Sequence, residues 1–179
     1  MGLKQVKILR WQPPPYSFVK LNCDGCSRDN PGEVAMGGII RSNKGEFIWA
    51  YGSFLGNQTK MVAELEALYE GLKYCAANGL HDVIVNSDSM SLVQCVNSKT
   101  SPLWMYHGKF REIIHILQDC NMKVLHCFRE INVVADYLVN YACNEREHFN
   151  WHSPRLLPEF ARGLINLDKL QMPYIRNLC

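Results

Sequence analysis

The sequence predicts an α/β domain with a mixed β-sheet flanked by helices, and three observations support this prediction. Three runs of alternating apolar and polar residues follow one another in the first third of the chain, separated by turn sequences. Apolar residues then recur at three- and four-residue intervals, as in an amphipathic helix. Short β-branched runs alternate with further helical patterns after that, which is typical of α/β domains.

The first three strands are predicted to form an antiparallel meander. Alternation runs through "SFVKLNCD", and after the turn sequence "DNPG" it resumes in "VAMGGIIRS" and "GEFIWAYGSFL". Asn43 and Gly45, between the last two runs, favour a hairpin turn. Before the first strand, "RWQPPPYS" contains consecutive prolines, which enter neither a helix nor a central strand and therefore indicate an extended leader.

The helices and remaining strands follow in alternation. A long amphipathic helix is predicted between Thr59 and Asn78, with "NGL" as its stop. The later patterns are "HDVIVNSD" for a buried strand, "SMSLVQCV" and "HGKFREIIHILQDC" for helices, "MKVLHCF" for a strand and "NVVADYLVNYAC" for a closing helix. We divide the chain into a proline-rich leader (1–15), a central domain (16–144) and a C-terminal tail (145–179). The tail is predicted to be peripheral or partly disordered, with a short helix near Leu156 to Leu167.

Length and composition exclude several classes of protein. The chain has 179 residues, which fits one domain with some tail, and its net charge of +2 neither supports nor excludes a nucleic-acid partner. No apolar run approaches the roughly 20 residues of a membrane-spanning helix, so no membrane partner is expected. The N-terminal sequence lacks the apolar block of a secretion signal. The expected location is the nucleus or cytoplasm, where the eight cysteines are not expected to form a disulfide framework.

Two of the cysteines, Cys23 and Cys26, stand in "CDGC" and raise the question of a zinc or redox site. A zinc site needs further ligands, and the sequence contains no second Cys-x-x-Cys and no paired Cys/His run. A thioredoxin-like motif opens a helix, whereas this one runs from a strand end into a turn. Alternation places Cys23 and Asp24 on opposite faces of the strand, which indicates that the functional residue is the carboxylate.

Acidic residues also stand in or at the ends of predicted buried elements, at Asp24, Glu64, Asp88 and Asp136. Alone, each has an ordinary interpretation, such as a helix cap for Asp88 or a solvated helix face for Asp136. If the first and fourth strands are parallel neighbours, Asp24 and Asp88 meet at one edge of the sheet. Carboxylates without basic partners favour hard divalent cations, here magnesium, and a pair of such ions supports phosphodiester hydrolysis.

The sequence resembles type 1 ribonuclease H in the ordered set "NCDG", "NPG", "MGGIIR", "AELEALYEGL", "NSDSMSLV" and "REINVVADYL". It is most similar to the reverse-transcriptase-associated ribonuclease H-like domains of plant retroelements, because "WQPPPYSFVKLNCDG" matches their Trp-x-Pro-Pro-Pro entry to the first strand. The resemblance spans about Trp11 to Cys143. It implies a ribonuclease H-like fold with a five-stranded mixed sheet of order 3-2-1-4-5, flanked by helices. It also implies cleavage of the RNA strand of RNA–DNA hybrids with two Mg²⁺ ions, which Mn²⁺ can replace.

The resemblance also implies a set of site residues. The catalytic and metal-binding residues it implies are Asp24, Glu64, Asp88 and Asp136. Helical periodicity does not separate Glu64 from Glu66, and the match to "AELEAL" favours Glu64. Glu130 in "FREIN" is a second alternative and is left outside the set. The implied nucleic-acid-binding residues are Asn30, Gly32, Asn57, Gln58, Thr59 and Lys60, although Asn30 is equally well interpreted as a turn residue.

The chain departs from other members of this family at several places, among them a loop of the bacterial members and a basic run that some relatives use to hold hybrid. "FREIN" is shorter than their glycine- and histidine-rich loop, and His126 is expected to be a core or edge residue. Between Val96 and His107 the only basic residue is Lys99, so we expect weak affinity for an isolated hybrid.

Two other functions remain as alternatives. A 3′–5′ exonuclease usually carries Asp-x-Glu in its first strand, and here Cys26 occupies the second acidic position. The stronger alternative is a catalytically weak or inactive nucleic-acid-binding relic of a retroelement. In either case we expect a monomer, alone or within a larger retroelement polyprotein.

Overall fold

A computed structural model describes residues 5–178, so that the ends of the predicted leader and tail, residues 1–4 and 179, lie outside the described residues. The strands are β1 (Gln5–Leu9), β2 (Val19–Ser27), β3 (Gly32–Arg41), β4 (Phe47–Gln58), β5 (Val83–Ser87), β6 (Lys123–His126), β7 (His148–Trp151) and β8 (Tyr174–Leu178). The α-helices are α1 (Lys60–Ala77), α2 (Met90–Ser98), α3 (His107–Asp119), α4 (Val133–Glu145) and α5 (Glu159–Lys169). The predicted α/β class is confirmed.

The main sheet has six strands in the order β6-β5-β2-β3-β4-β7. Strands β2, β3 and β4 form the predicted antiparallel meander, while β5 and β6 run parallel to β2. Parallel neighbours need a crossover, and here helices supply it. The five strands predicted from the sequence occupy consecutive positions, but the prediction of a five-stranded sheet is wrong by one strand. The additional strand β7 pairs antiparallel with β4.

Helices cover both faces of the sheet, because inward residues alternate along its central strands. On one face, Ile40 packs in a cluster with residues of α1, α2 and α3. On the other face, the adjacent Ile39 packs with Val134 and Leu138 of α4 and with Ile165 of α5. The long helix begins where it was predicted, since Thr59 is its N-cap and accepts a hydrogen bond from the Val62 amide at 3.3 Å.

The segment after residue 144 differs from the peripheral tail that the sequence predicts. Trp151, Leu157, Ala161 and Ile165 are buried in the second core cluster. The predicted helix exists as α5, and β8 pairs antiparallel with β1 of the leader in a separate two-stranded ribbon. Local periodicity is weak here because short elements and prolines interrupt it, and burial depends on the rest of the domain.

Within residues 5–178 no helix combines the length and the apolar character needed to cross a membrane. The seven cysteines of this range are all unpaired. Cys23 packs in the cluster of the α1 face, whereas Cys26 packs beside the cluster of Ala35, Val139, Ala142 and Cys143 on the α4 face. The two thiols lie on opposite faces of β2, so they cannot ligate one ion together.

Candidate active site

Asp24 and Asp88 lie at the carboxyl ends of neighbouring parallel strands. Strand β2 pairs with β5 in a register that sets Cys23 opposite Ser87, and the two aspartates are the next residues in each strand direction. Functional groups gather at this edge of α/β sheets because several strands end there. The adjacency of the first and fourth predicted strands is therefore present in the structure.

Glu64 reaches the same place because α1 packs directly on β2. At Gly25 the strand approaches the helix so closely that a Cβ atom would lie 2.6 Å from the Glu64 amide nitrogen and 2.7 Å from the Ala63 carbonyl carbon. Only glycine permits this approach without displacement of the helix. The residue after Asp24 thus determines how near the first turns of α1 come to the carboxylate.

Asp24, Glu64 and Asp88 form a compact carboxylate cluster. One ligand atom from each side chain lies within 4.8 Å of the others. Asp24 is buried and receives a hydrogen bond from the Gly25 amide to Oδ1 at 2.9 Å. Glu64 is only 1% exposed, and neither of its oxygens has a hydrogen-bond partner among the described residues. Buried Oδ1 of Asp88 also lacks one.

Burial and mutual repulsion raise the proton affinity of this cluster. Burial, followed by the charges of Glu64 and Asp88, raises the pKa of Asp24 to about 9. Burial and the charge of Asp88 likewise raise the pKa of Glu64 to about 8. The nearest cation to Glu64 is the Lys60 ammonium, 4.0 Å from Oε1 and largely exposed, and it offsets only part of this effect. Without a cation the cluster therefore retains protons at neutral pH.

Asp136 lies beside the cluster but has a different partner. It occupies the first turn of α4, is half-buried, and lies outside the set whose ligand atoms meet within 4.8 Å. Its Oδ1 accepts a hydrogen bond from Arg129 Nη2 at 3.1 Å. Its charge contributes to the raised pKa of Asp24, which shows that the two carboxylates are within electrostatic range.

Arg129 is a candidate site residue that the sequence reasoning missed. It lies in "FREIN", where the sequence pattern indicates only a shortened connection that contains Glu130. Asp136 raises the pKa of Arg129, with smaller contributions from Asp24 and Asp88, so its exposed guanidinium stands in the field of the whole cluster. A basic residue just before the helix that carries an acidic site residue was the available signal.

The two acidic alternatives have other partners. Glu66 forms an ion pair with Lys109 of α3, with Nζ and Oε1 2.5 Å apart. Glu130 forms one with Arg176 of β8 at 3.0 Å. Neither carboxylate belongs to the cluster that contains Glu64.

The predicted nucleic-acid-binding residues lie around the ends of β3 and β4 and the start of α1. Gly32 pairs with Gln58, and the neighbouring pair holds Asn57, so these positions are adjacent across the two strands. Asn30 Oδ1 accepts a hydrogen bond from the Lys60 amide at 3.1 Å, which ties the turn before β3 to the first residue of α1. Asn30, Asn57, Gln58 and Lys60 are exposed. Together they form a polar rim near Glu64.

The carboxylate cluster fits a hard divalent cation. Its donors are oxygens alone, which such cations prefer. Three buried carboxylate oxygens of Glu64 and Asp88 have no hydrogen-bond partner in the described part of the chain, a costly arrangement unless protons or cations compensate. A purely structural role for Glu64 would not compensate the cost of burying its carboxylate.

Comparison with known families and proteins places this geometry in context. Residues 22–142 match the model of the reverse transcriptase-like family. An Arabidopsis thaliana protein named as a candidate ribonuclease H is 30% identical over 174 residues, which are 95% of this chain and 28% of that protein. The chain thus spans little more than a quarter of that relative. Ribonuclease HI of Halobacterium salinarum is 29% identical over 142 residues, 75% of this chain and 68% of the relative.

Solved structures show the same similarity. LC11-RNase H1, isolated from compost by a metagenomic approach, is 32% identical with a TM-score of 0.66, covering 72% of this chain and 97% of that one. The same protein in complex with an RNA/DNA hybrid is 31% identical with a TM-score of 0.65, covering 71% and 97%. The residues of this chain that contain the carboxylate cluster and Asp136 fall inside the range that the family model matches.

Proposed function

The chain belongs to the reverse transcriptase-like family and to type 1 ribonuclease H, and from this premise we propose that it binds nucleic acid and hydrolyses the RNA strand of RNA–DNA hybrids. The observation that carries the proposal is the cluster of Asp24, Glu64 and half-buried Asp88 at the carboxyl edge of the sheet, in which both oxygens of Glu64 and Oδ1 of Asp88 have no hydrogen-bond partner among residues 5–178. Hybrid as the substrate is supported by the LC11-RNase H1 complex.

The proposed cofactor is Mg²⁺, with Mn²⁺ as a substitute. Asp24, Glu64 and Asp88 would hold it, with Asp136 at the side of the cluster. When bound, such ions polarise the phosphoryl group and lower the pKa of water. The chain's own contribution is to keep these carboxylates in place and to release the protons that Asp24 and Glu64 retain near neutral pH. Arg129 holds Asp136 in orientation through its hydrogen bond.

Hybrid would be selected by shape rather than by base sequence. Proteins recognise A-form-like helices mainly through 2′-hydroxyl and phosphate contacts in the wide minor groove. The polar rim of Asn30, Asn57, Gln58 and Lys60 supports this proposal, because its exposed amides and ammonium suit such contacts. It carries few positive charges, which agrees with the weak affinity expected for isolated hybrid.

The proposal is tested with Asp24→Asn and Asp88→Asn in a Mg²⁺-dependent assay on labelled hybrid, duplex RNA and duplex DNA. We expect the parental chain to cleave only hybrid and both variants to lose cleavage by about 100-fold or more, because each removes a proposed ligand charge and even the loss of an outer-shell partner typically costs about 10–100-fold. Asp119→Asn, which replaces an exposed acidic residue of α3 paired with His115, serves as the control and should leave cleavage unaffected. Near-parental cleavage by either site variant would show that the assigned site is wrong.

The same assay separates the enzyme from a nucleic-acid-binding relic. A parental chain that binds hybrid but cleaves none of the three substrates, with either Mg²⁺ or Mn²⁺, would support the relic.

A further inference from the structure

A buried ion pair joins the C-terminal segment to the central strands. Arg41 of β3 and Asp168 of α5 are each 1% exposed, and Nη1 lies 2.7 Å from Oδ2. The Tyr174 hydroxyl donates to the other oxygen, Oδ1, at 2.8 Å. Asp168 lies outside residues 22–142, the range that the family model matches. The pair therefore connects the matched residues to a segment of the chain outside the matched range.

The ion pair continues into a chain of buried amides. Arg41 Nη2 donates to Asn22 Oδ1 at 2.8 Å, and Trp11 Nε1 donates to the same oxygen at 3.0 Å. Asn22 Nδ2 in turn donates to Asn132 Oδ1 at 3.0 Å. The guanidinium also stacks over the Trp11 ring, 3.9 Å from its centroid. Each step uses a buried side chain, so the positions of these groups are mutually constrained.

Asn132 connects this series of hydrogen bonds to two of the site carboxylates. Its Nδ2 donates to the carbonyl of Cys23, the residue immediately before Asp24, at 3.1 Å. Its own carbonyl accepts the amide of Asp136 at 3.0 Å. Asn132 thus sets the distance between the strand that carries Asp24 and the helix that carries Asp136.

We propose that Asp168 is a positioning residue for the active site, acting through Arg41, Asn22 and Asn132 on Asp24 and Asp136. The expected effect of Asp168 on cleavage rests on the proposed function, whereas its effect on the positions of Asp24 and Asp136 does not. Removing the charge of Asp168 leaves a buried guanidinium without its counter-ion, so that Arg41 must move or recruit water. Arg41 Nε already has no hydrogen-bond partner within residues 5–178, so the remaining contact of the guanidinium with an acceptor is the one between Nη2 and Asn22 Oδ1. A shift of about 1 Å in a reacting group lowers rates by up to about 100-fold.

The kinetic test compares three variants with the parental chain. Asp168→Asn is expected to lower kcat at least about tenfold while KM for hybrid changes less than about twofold, and Asp168→Glu should restore part of kcat. The double variant Arg41→Met with Asp168→Leu removes both charges, which often leaves stability unchanged. The double variant should therefore melt near the parental temperature. Its kcat should stay as low as that of Asp168→Asn, because Asn22 has lost the Arg41 donor.

The structural test requires no cleavage. In the metal-free chain, Asp168→Asn should shift the NMR signals of the Asp24 and Asp136 amides and of the Asn132 side-chain amide. Asp119→Asn, exposed on α3, should leave all three unchanged. An inactive parental chain would count against the proposed function alone, since these signals still decide the inference.

Two results would overturn the inference. One is parental kcat in Asp168→Asn or in the double variant, which would mean that the ion pair only stabilises the fold. The other is unchanged signals at Asp24, Asp136 and Asn132 in Asp168→Asn.

Discussion

At the scale of single residues, the site is governed by the cost of placing like charges together out of water. Asp24 and Glu64 are buried, and burial together with neighbouring carboxylates raises the pKa of both. In the metal-free site, protons on Asp24 and Glu64 therefore relieve the repulsion between the carboxylates. A divalent cation would replace those protons, so cation affinity and pH are linked in this protein.

The raised pKa values predict how the stability of the metal-free chain depends on pH. The pKa rises from 3.8 to about 9 for Asp24 and from 4.5 to about 8 for Glu64, so the folded chain keeps protons that the unfolded chain has released. Stability attributable to these groups is full at low pH and is lost as pH rises through the folded-state values. Urea unfolding in EDTA at about pH 5, 7 and 9 should show this decline, and Mg²⁺ should reduce it.

The control for this dependence is Asp24→Asn, which cannot titrate at that position. Its stability relative to the parental chain should increase steadily towards about pH 9. A relative stability that is independent of pH would contradict the assignment of these protons to the cluster.

The choice between Glu64 and Glu66 gives a second prediction at this scale. Glu64→Gln should lower hybrid cleavage by about 100-fold or more, since even an outer-shell partner of a metal site is typically worth about 10–100-fold. It should also stabilise the metal-free chain at high pH by removing repulsion. Glu66→Gln removes the charge that pairs with Lys109 outside the cluster, so it should cost about 1 kcal/mol or less and leave cleavage nearly unchanged. Both variants are measured for cleavage and for unfolding in EDTA. Equal loss of cleavage in the two variants would refute the choice of Glu64.

At the scale of secondary-structure elements, the close contact between β2 and α1 brings the site together. The two elements meet at Gly25, where no side chain separates the strand from the Ala63–Glu64 backbone. The register of β2 against β5 then aligns Asp24 with Asp88. The contact of β2 with α1 and the register of β2 against β5 thus bring together the carboxylates of Asp24, Glu64 and Asp88.

Gly25→Ala tests this contact. A Cβ atom would fall 2.6 Å from the Glu64 amide nitrogen, so α1 must move away from β2. We expect a loss of about 1–3 kcal/mol in stability and a larger proportional loss of cleavage than of hybrid binding. Gly108→Ala in α3 is the matched control, since its Cβ would meet nothing within 4 Å and alanine favours a helix by about 1 kcal/mol. Stability and cleavage of Gly25→Ala at parental levels would contradict this account.

At the scale of the whole molecule, the domain includes its C-terminal segment. Strand β7 extends the sheet, and α5 supplies buried residues to the cluster on the α4 face. The ribbon of β1 and β8 joins the leader to the end of the described chain. The folded unit is consequently larger than the predicted central domain of residues 16–144.

Truncation after residue 144 tests the size of this unit. It removes Trp151, Leu157 and Ile165, each contributing about 1.5–3 kcal/mol of burial, and leaves Arg41 without Asp168. Breaking a buried pair from one side costs a further ~3–5 kcal/mol. The sum is comparable to the total stability of an ordinary domain, about 5–15 kcal/mol, so the shortened chain should lack a cooperative thermal transition. A cooperative transition near the parental Tm, followed by circular dichroism, would contradict this.

Local sequence determined the element types and the candidate carboxylates. Periodicity identified the β2–β4 meander and α1, because side-chain burial repeats every two residues in a strand and every 3.6 in a helix. The position of Asp24, Glu64 and Asp88 at element ends was also visible in the sequence, although their roles came from the family resemblance.

Tertiary structure alone decided which of these groups meet and what supports them. The way α1 packs on β2 decides that Glu64, and not Glu66, reaches the carboxylate cluster. Asp168 binds Arg41, which is 127 positions away in the sequence. The burial of β7 and α5 depends on a surface built by distant strands. Such contacts follow from packing and from the pairing of buried charge, which no local pattern of residues encodes.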